Sequence, residues 1–175
     1  MKKLLLGAAV AAASTSALAA PIDNLVGGFG YLHYNEEFSG QDVTLHGVFG
    51  SLGYKHRVTQ QFSLVPEVRV GLGIGDDTAR YNSQDLDVEL DEFIALSLKG
   101  QFDINQQLYV FANPTFAHGG FTIRGDNGSV SDSDHELGLG FGAGFKVAPN
   151  ADLELAYENL EGTDLIGASL KIGFY

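Results

Sequence analysis

Large apolar and small or charged residues alternate along most of this chain. In HELGLGFGAGFKVAPNADLELAYEN, residues 135–159, Leu137, Leu139, Phe141, Ala143, Phe145 and Val147 share one parity. Gly138, Gly140, Gly142, Gly144 and Lys146 share the other. Side chains of a strand point to opposite faces in turn, so this arm is a strand with one greasy face. A second arm sets Leu153, Leu155 and Tyr157 against Glu154, Ala156 and Glu158. Ala148-Pro149-Asn150-Ala151 between them reads as a tight turn, because proline fixes φ and asparagine tolerates unusual dihedrals. In a soluble sheet the non-core face is charged; here it is mostly glycine, which suits a barrel turned inside out, greasy towards lipid.

The same alternation recurs over 25–34, 43–57, 62–74, 88–102, 108–123 and 164–175, giving eight predicted strands. Their lengths suffice to cross a bilayer at a barrel tilt. Pro66 and Pro114 fall inside two of them, where proline predicts an edge or a bulge. The turns at 59–61, 103–107 and 148–151 are short, while Asp76–Asp87 and Arg124–Asp134 read as long acidic loops and Asn35–Gly40 as a further acidic connection. Short turns on one side and long loops on the other are a property of outer-membrane barrels. The fold class predicted is all-β: an eight-stranded antiparallel up-and-down transmembrane β-barrel.

The N-terminus supplies an address. Lys2 and Lys3, the apolar run Leu4–Ala13 and the small-x-small site Ala17-Leu18-Ala19 read as a secretory signal peptide over residues 1–19. The barrel domain then occupies 20–175. Removing Lys2 and Lys3 leaves 8 basic residues against 22 acidic, a net charge of −14, which excludes nucleic acid as a partner. The chain has no cysteine, so no disulfide holds the exported fold. Beyond the leader no apolar run reaches the length of a membrane helix. A membrane-spanning chain of this kind closes into a barrel, since only helices and barrels satisfy every backbone group in lipid.

Charge sharpens the phase. Lys55, Lys99, Lys146 and Lys171 each sit within four residues of the end of an even-numbered strand, on the less greasy parity. A charge facing lipid is costly, so they are predicted to point inward with Glu67, Arg69, Glu154 and Glu158. Together these eight form a predicted lumen charge network, with Lys146 pairing with Glu154 or Glu158. The inward glycines, Gly71–Gly75 and Gly138–Gly144, predict a roomier lumen than a side-chain-filled barrel. Tyr54, Phe62, Phe102, Phe145 and Phe174 cluster near the short-turn end, as an interfacial girdle does.

FGSLGYKHRVTQQFSL, LSLKGQFDINQQLYV and FGAGFKVAPNADLELAYEN each read as an apolar strand, a lysine, a polar turn and a second alternating strand. On these segments, and on the ending ASLKIGFY, the chain resembles the small eight-stranded outer-membrane barrels of the OmpA/OmpX type, the opacity-like porin family. The resemblance implies residence in the outer membrane, contact with its lipid and lipopolysaccharide, and recognition of the C-terminal strand by the barrel-assembly machinery. It implies no cofactor and no metal. It further implies a structural, envelope-stabilising role or an adhesin-like one, with the acidic loops meeting host or environmental surfaces.

Arg124-Gly125-Asp126 spells a tripeptide that some integrins recognise, in a loop on the predicted outer side. Two other functions stand beside the envelope role. A narrow channel for small or apolar solutes, of the OmpW kind, is one. The other is a lipid A-modifying acyl hydrolase or transferase, which needs a nucleophile, a base and an orienting acid. Ser97, His118 and Glu67 supply those residue types. None of His33, His46, His56, His118 and His135 has the serine two residues on that the lipid A deacylases resembling this chain in size carry. No catalytic residue is assigned, and the chain is read as non-enzymatic.

Overall fold

The computed structural model describes residues 24–38, 41–74, 76–81, 84–125 and 128–174, with backbone alone over 36–38, 41–43, 76–81, 84–89, 123–125, 128–130 and at 132. Among them no helix occurs. Eight strands run antiparallel between chain neighbours: β1 (Leu25–Phe38), β2 (Gln41–Tyr54, resuming at His56–Arg57), β3 (Phe62–Gly73, resuming at Asp76–Tyr81), β4 (Gln84–Asp103), β5 (Leu108–Gly125), β6 (Gly128–Ala148), β7 (Ala151–Leu160) and β8 (Thr163–Phe174). Pairing of β1 with β8, from Leu25↔Phe174 to Asn35↔Asp164, closes the sheet into a barrel. Closure leaves each strand with a neighbour on both sides through the lipid-facing band, which satisfies backbone groups where no water can.

Parity decides the faces. Leu155, Leu137 and Phe141 are 66%, 63% and 61% exposed on the outside. So much open apolar surface on one wall has a place only against lipid. Tyr54, Phe102, Phe145 and Phe174 are outward and exposed at the short-turn end, as the girdle requires. Both chain ends of the barrel lie at that level.

The two prolines act without shifting register. Pro66 stays paired with Leu98 of β4, but its ladder to β2 is interrupted between Gly53↔Glu67 and His56↔Leu64. Lys55, inside that gap, donates its amide to the Asn24 carbonyl at 2.8 Å instead. Pro114 stays paired with Leu139 of β6, and its ladder to β4 is interrupted between Ser97↔Thr115 and Gly100↔Ala112. A residue without an N–H is thus tolerated in a closed barrel when one of its two ladders skips a step.

The predicted long loops are corrected. Asp76–Tyr81 pairs with Gln84–Glu89, and β5 pairs with β6 out to Gly125↔Gly128. The segment 35–40 likewise holds strand through Phe38. Polar sequence does not end a ladder whose register is already set by a hairpin, so the asymmetry appears as strand length: β4 and β6 have 20 and 21 residues, β7 has 10. β4 also carries a bulge between Leu90 and Glu92, which moves the inward set from Leu90 to Phe93.

The outer turn between β7 and β8 places Glu161 at φ 49° and Gly162 at φ 113°. Two positive φ values are what a two-residue hairpin turn of the primed type needs. A Cβ on Gly162 would meet nothing within 4 Å. Gly162→Ala is therefore expected to cost about 1 kcal/mol from backbone strain alone, read as a lowered urea midpoint, whereas Glu161→Asn raises it.

Candidate functional site: the sealed lumen and the outer rim

The lumen is stacked in layers. At mid-height six charged side chains meet, three of each sign, and all are buried: Glu67, Arg69, Lys99, Glu154, Glu158 and Lys171. Arg69 grips Glu158 with both terminal nitrogens, at 2.5 and 2.8 Å, and Thr115 donates to the same carboxylate at 2.9 Å. Lys99 reaches both oxygens of Glu154 at 2.9 and 2.7 Å, with Glu67 at 3.9 Å. Lys171 donates to Glu67 at 2.6 Å and to Ser51 at 2.8 Å. The Tyr109 hydroxyl adds a donor to Glu154 at 2.8 Å. Each buried charge is thereby compensated, the condition for burying it.

Two members of the predicted set sit apart. Lys55 and Lys146 lie half-buried at the short-turn mouth. Lys146 pairs with Asp103 at 3.8 Å, not with Glu154 or Glu158. The reason is register: Lys146 faces Asp152, and Glu154 faces Gly144, because the turn between β6 and β7 is tighter than three residues. Lys99 and Arg69 therefore reach Glu154 and Glu158 first, from across the lumen.

Toward the outer end the lumen turns apolar. Leu32, Leu45, Leu90, Phe93, Leu160 and Leu165, each buried, form one cluster there, and the Phe121 ring packs against it. The greasy face of the sequence had all been assigned to lipid; this inner layer comes from the opposite parity and from the β4 bulge.

The glycines do not widen the lumen. A Cβ at Gly144 would strike the Tyr109 ring, and one at Gly142 the Phe111 ring. Side chains of β5 lie over the bare backbone of β6, so each glycine is filled from the next strand. Among the described residues the lumen holds a cavity of about 30 Å³ between Arg69, Lys99, Asn113 and Glu158 and another of about 20 Å³ between Lys55, Gln101, Tyr109 and Asp152, each with room for a water or two. Arg69 Nε, Ser97 Oγ and Asn113 Oδ1 are buried in or beside the first with no protein partner.

Sequence reasoning missed Tyr109, Thr115, Asp103 and Ser51. Tyr109 and Thr115 share the parity of Phe111 and Asn113, which the undivided reading of 108–123 did not separate. The proposed triad types are held apart: Ser97 and Glu67 are buried inside, whereas His118 has the outward parity of Phe116. Among the described residues no group of three or more His, Cys, Asp or Glu could hold a metal. Arg124 and Gly125 are in strand, opposite Ser129 and Gly128; Asp126 and the side chains of this tripeptide lie outside the described residues, as does the predicted signal peptide. At the rim Asp164 accepts hydrogen bonds from Tyr157 at 2.6 Å and Asn159 at 2.8 Å, which hold its carboxyl below the usual range.

A family model described as outer membrane protein beta-barrel domain matches residues 4–174. The chain belongs to that family. Its members' setting, the outer membrane, is the setting of this barrel, and contact with outer-membrane lipid follows. A search of curated proteins gives no match. Among solved structures the barrel is similar to Ail, the attachment invasion locus protein of Yersinia pestis, at 16% identity and TM-score 0.61, covering 86% of this chain and 97% of that one. It is similar to Neisserial surface protein A at 14% identity and TM-score 0.62, covering 87% and 98%. It is also similar to the N-terminal barrel of Pseudomonas aeruginosa OprF at 13% identity and TM-score 0.59, covering 87% and 98%. Identities this low speak for the fold alone. Ail has also been crystallised with the heparin analogue sucrose octasulfate.

Proposed function

We propose that this outer-membrane barrel is a non-enzymatic envelope protein that works at its outer rim, as a structural or adhesin-like element, and conducts nothing through its lumen. The observation that supports it best is the filled lumen: an apolar layer above a balanced ion-pair layer, with a cavity of about 30 Å³ as the free space between Arg69 and Lys99. What is left for partners is the outside. The extended ends of β3–β6 and the acidic stretches 76–87 and 124–134, with Arg124, Gly125 and Asp126, form that surface.

A net charge of −14 on the chain beyond its leader disfavours sulfated sugars such as the sucrose octasulfate in the Ail complex and favours basic surfaces. The outward Phe174 on the closing strand fits recognition by the barrel-assembly machinery. The acyl hydrolase reading lacks a base beside a nucleophile, since Ser97 and His118 lie on opposite faces. The experiment uses the protein in liposomes, scored for adhesion to cationic beads and to cell layers and for lipid turnover. Adhesion is expected to fall at least tenfold when both stretches are trimmed to two-residue turns, with no turnover. Lipid hydrolysis above background overturns the reading.

A further inference from the structure

Two histidine pairs stand outside the lumen network. His33 of β1 lies directly opposite His46 of β2, and His118 of β5 directly opposite His135 of β6. Their ring centroids are 5.2 and 4.5 Å apart. All four take the lipid-facing parity, and each pair closes an apolar stripe at its outer end. Tyr31 and Val48 precede one pair on that face, Phe116 and Leu137 the other, all four exposed. Asn35 and Thr44, or Gly120 and Ser133, come next outward.

We propose that the two cross-strand histidine pairs are binding sites for a first-row transition-metal ion of the Zn²⁺ class, set at the outer boundary of the lipid-facing wall. Geometry comes first. Metal–nitrogen distances of about 2.0–2.1 Å on a tetrahedral ion hold two imidazole centroids about 5 Å apart, and the observed separations of 4.5 and 5.2 Å lie on either side of that. The strands fix this spacing, because directly opposed positions bring side chains together without loop ordering.

The ring nitrogens support the same chemistry. His118 Nδ1 lies 3.1 Å from the backbone carbonyl of Asp134. A carbonyl only accepts, so Nδ1 carries the proton and Nε2 keeps its lone pair. A ligating histidine characteristically has its other nitrogen engaged in this way. In the second pair the Tyr31 hydroxyl oxygen lies 2.5 Å from His46 Nδ1, and the tautomer in which it accepts the Nδ1 proton leaves the His46 Nε2 lone pair for the ion. The chain's −14 charge beyond its leader draws cations to this rim. Imidazole also selects Zn²⁺, Cu²⁺ or Ni²⁺ over the Mg²⁺ and Ca²⁺ that carboxylate and phosphate oxygens hold. No third protein ligand completes either pair among the described residues, so the remaining positions fall to water and the ion exchanges readily.

The test is calorimetric titration of ZnCl₂ into the chain from Ala20 onward, without a polyhistidine tag, folded in detergent with excess MgCl₂. Two ions per chain are expected. His118→Ala and His33→Ala should each remove one, and the double substitution both. His56→Ala, at the short-turn end, should leave uptake unchanged. Heat-modifiable gel migration verifies that each variant is folded. Absence of uptake by the unsubstituted protein overturns the proposal. So does uptake that survives the double substitution, or that is lost with His56→Ala.

Discussion

Glu158→Ala should destabilise the barrel by about 3–5 kcal/mol, the usual cost of stripping one partner from a buried ion pair. Glu158 is 2% exposed and takes both terminal nitrogens of Arg69, itself 5% exposed. Without that carboxylate the guanidinium keeps its charge, since arginine does not deprotonate. The nearest anions, Glu67 and Glu154, are already committed to Lys171 and Lys99. The companion variant sharpens the test. Arg69→Met combined with Glu158→Ala removes both charges, and replacing a buried pair by apolar groups is often neutral or better. The double variant should therefore recover most of the loss in urea unfolding of the detergent-folded protein. A single variant within 1 kcal/mol of the parent, or a double variant no better than the single, would show that water screens the pair.

Gly144→Val should cost about 1–3 kcal/mol by overpacking, although it adds an apolar, β-prone side chain to a strand. The Tyr109 ring lies on the Gly144 backbone, is 1% exposed, and gives its hydroxyl to Glu154 at 2.8 Å and Asp152 at 3.2 Å. It cannot swing away without giving up its buried hydrogen bond to Glu154, the shorter of the two, and its packing in the lumen. In a Tyr109→Ala background the valine has room, so the second substitution should cost far less than it does alone. A double-mutant cycle that comes out additive would refute the contact.

How much of this could be read from the residues differs by layer. The outer face was legible almost whole, because Leu137, Leu139 and Phe141, like Leu153 and Leu155, alternate without a break. The inward phase of Lys99, Lys171, Glu67, Arg69, Glu154 and Glu158 followed from the same alternation. Which lysine meets which carboxylate did not. That depends on shear across the barrel, which joins Lys99 of β4 to Glu154 of β7, strands never adjacent in the sheet. Parity along one strand carries no information about such pairs.

The glycines misled for a related reason. A glycine reports space at its own position, and the tenant, Tyr109 over Gly144 or Phe111 over Gly142, comes from a neighbouring strand. The acidic stretches around Asp76 and Arg124 read as loops because polar composition looks like a connection. Within a barrel, pairing runs on as long as the facing strand does. The β4 bulge does leave a trace in LDVELDEF, where Leu86, Val88 and Leu90 alternate with acids and the doubled Asp91-Glu92 breaks the phase before Phe93; reading 88–102 as one unbroken strand passed over it.

Function at the outer rim requires a lumen with no open path from one mouth to the other. Its most direct test is single-channel recording of the folded chain, from Ala20 onward, in a planar lipid bilayer. With Leu32, Phe93, Leu160 and Leu165 packed above the ion pairs, the membrane should stay silent apart from rare, brief events. Steady open-pore current from the unsubstituted protein would contradict the sealed lumen and, with it, the assignment of function to the outer rim.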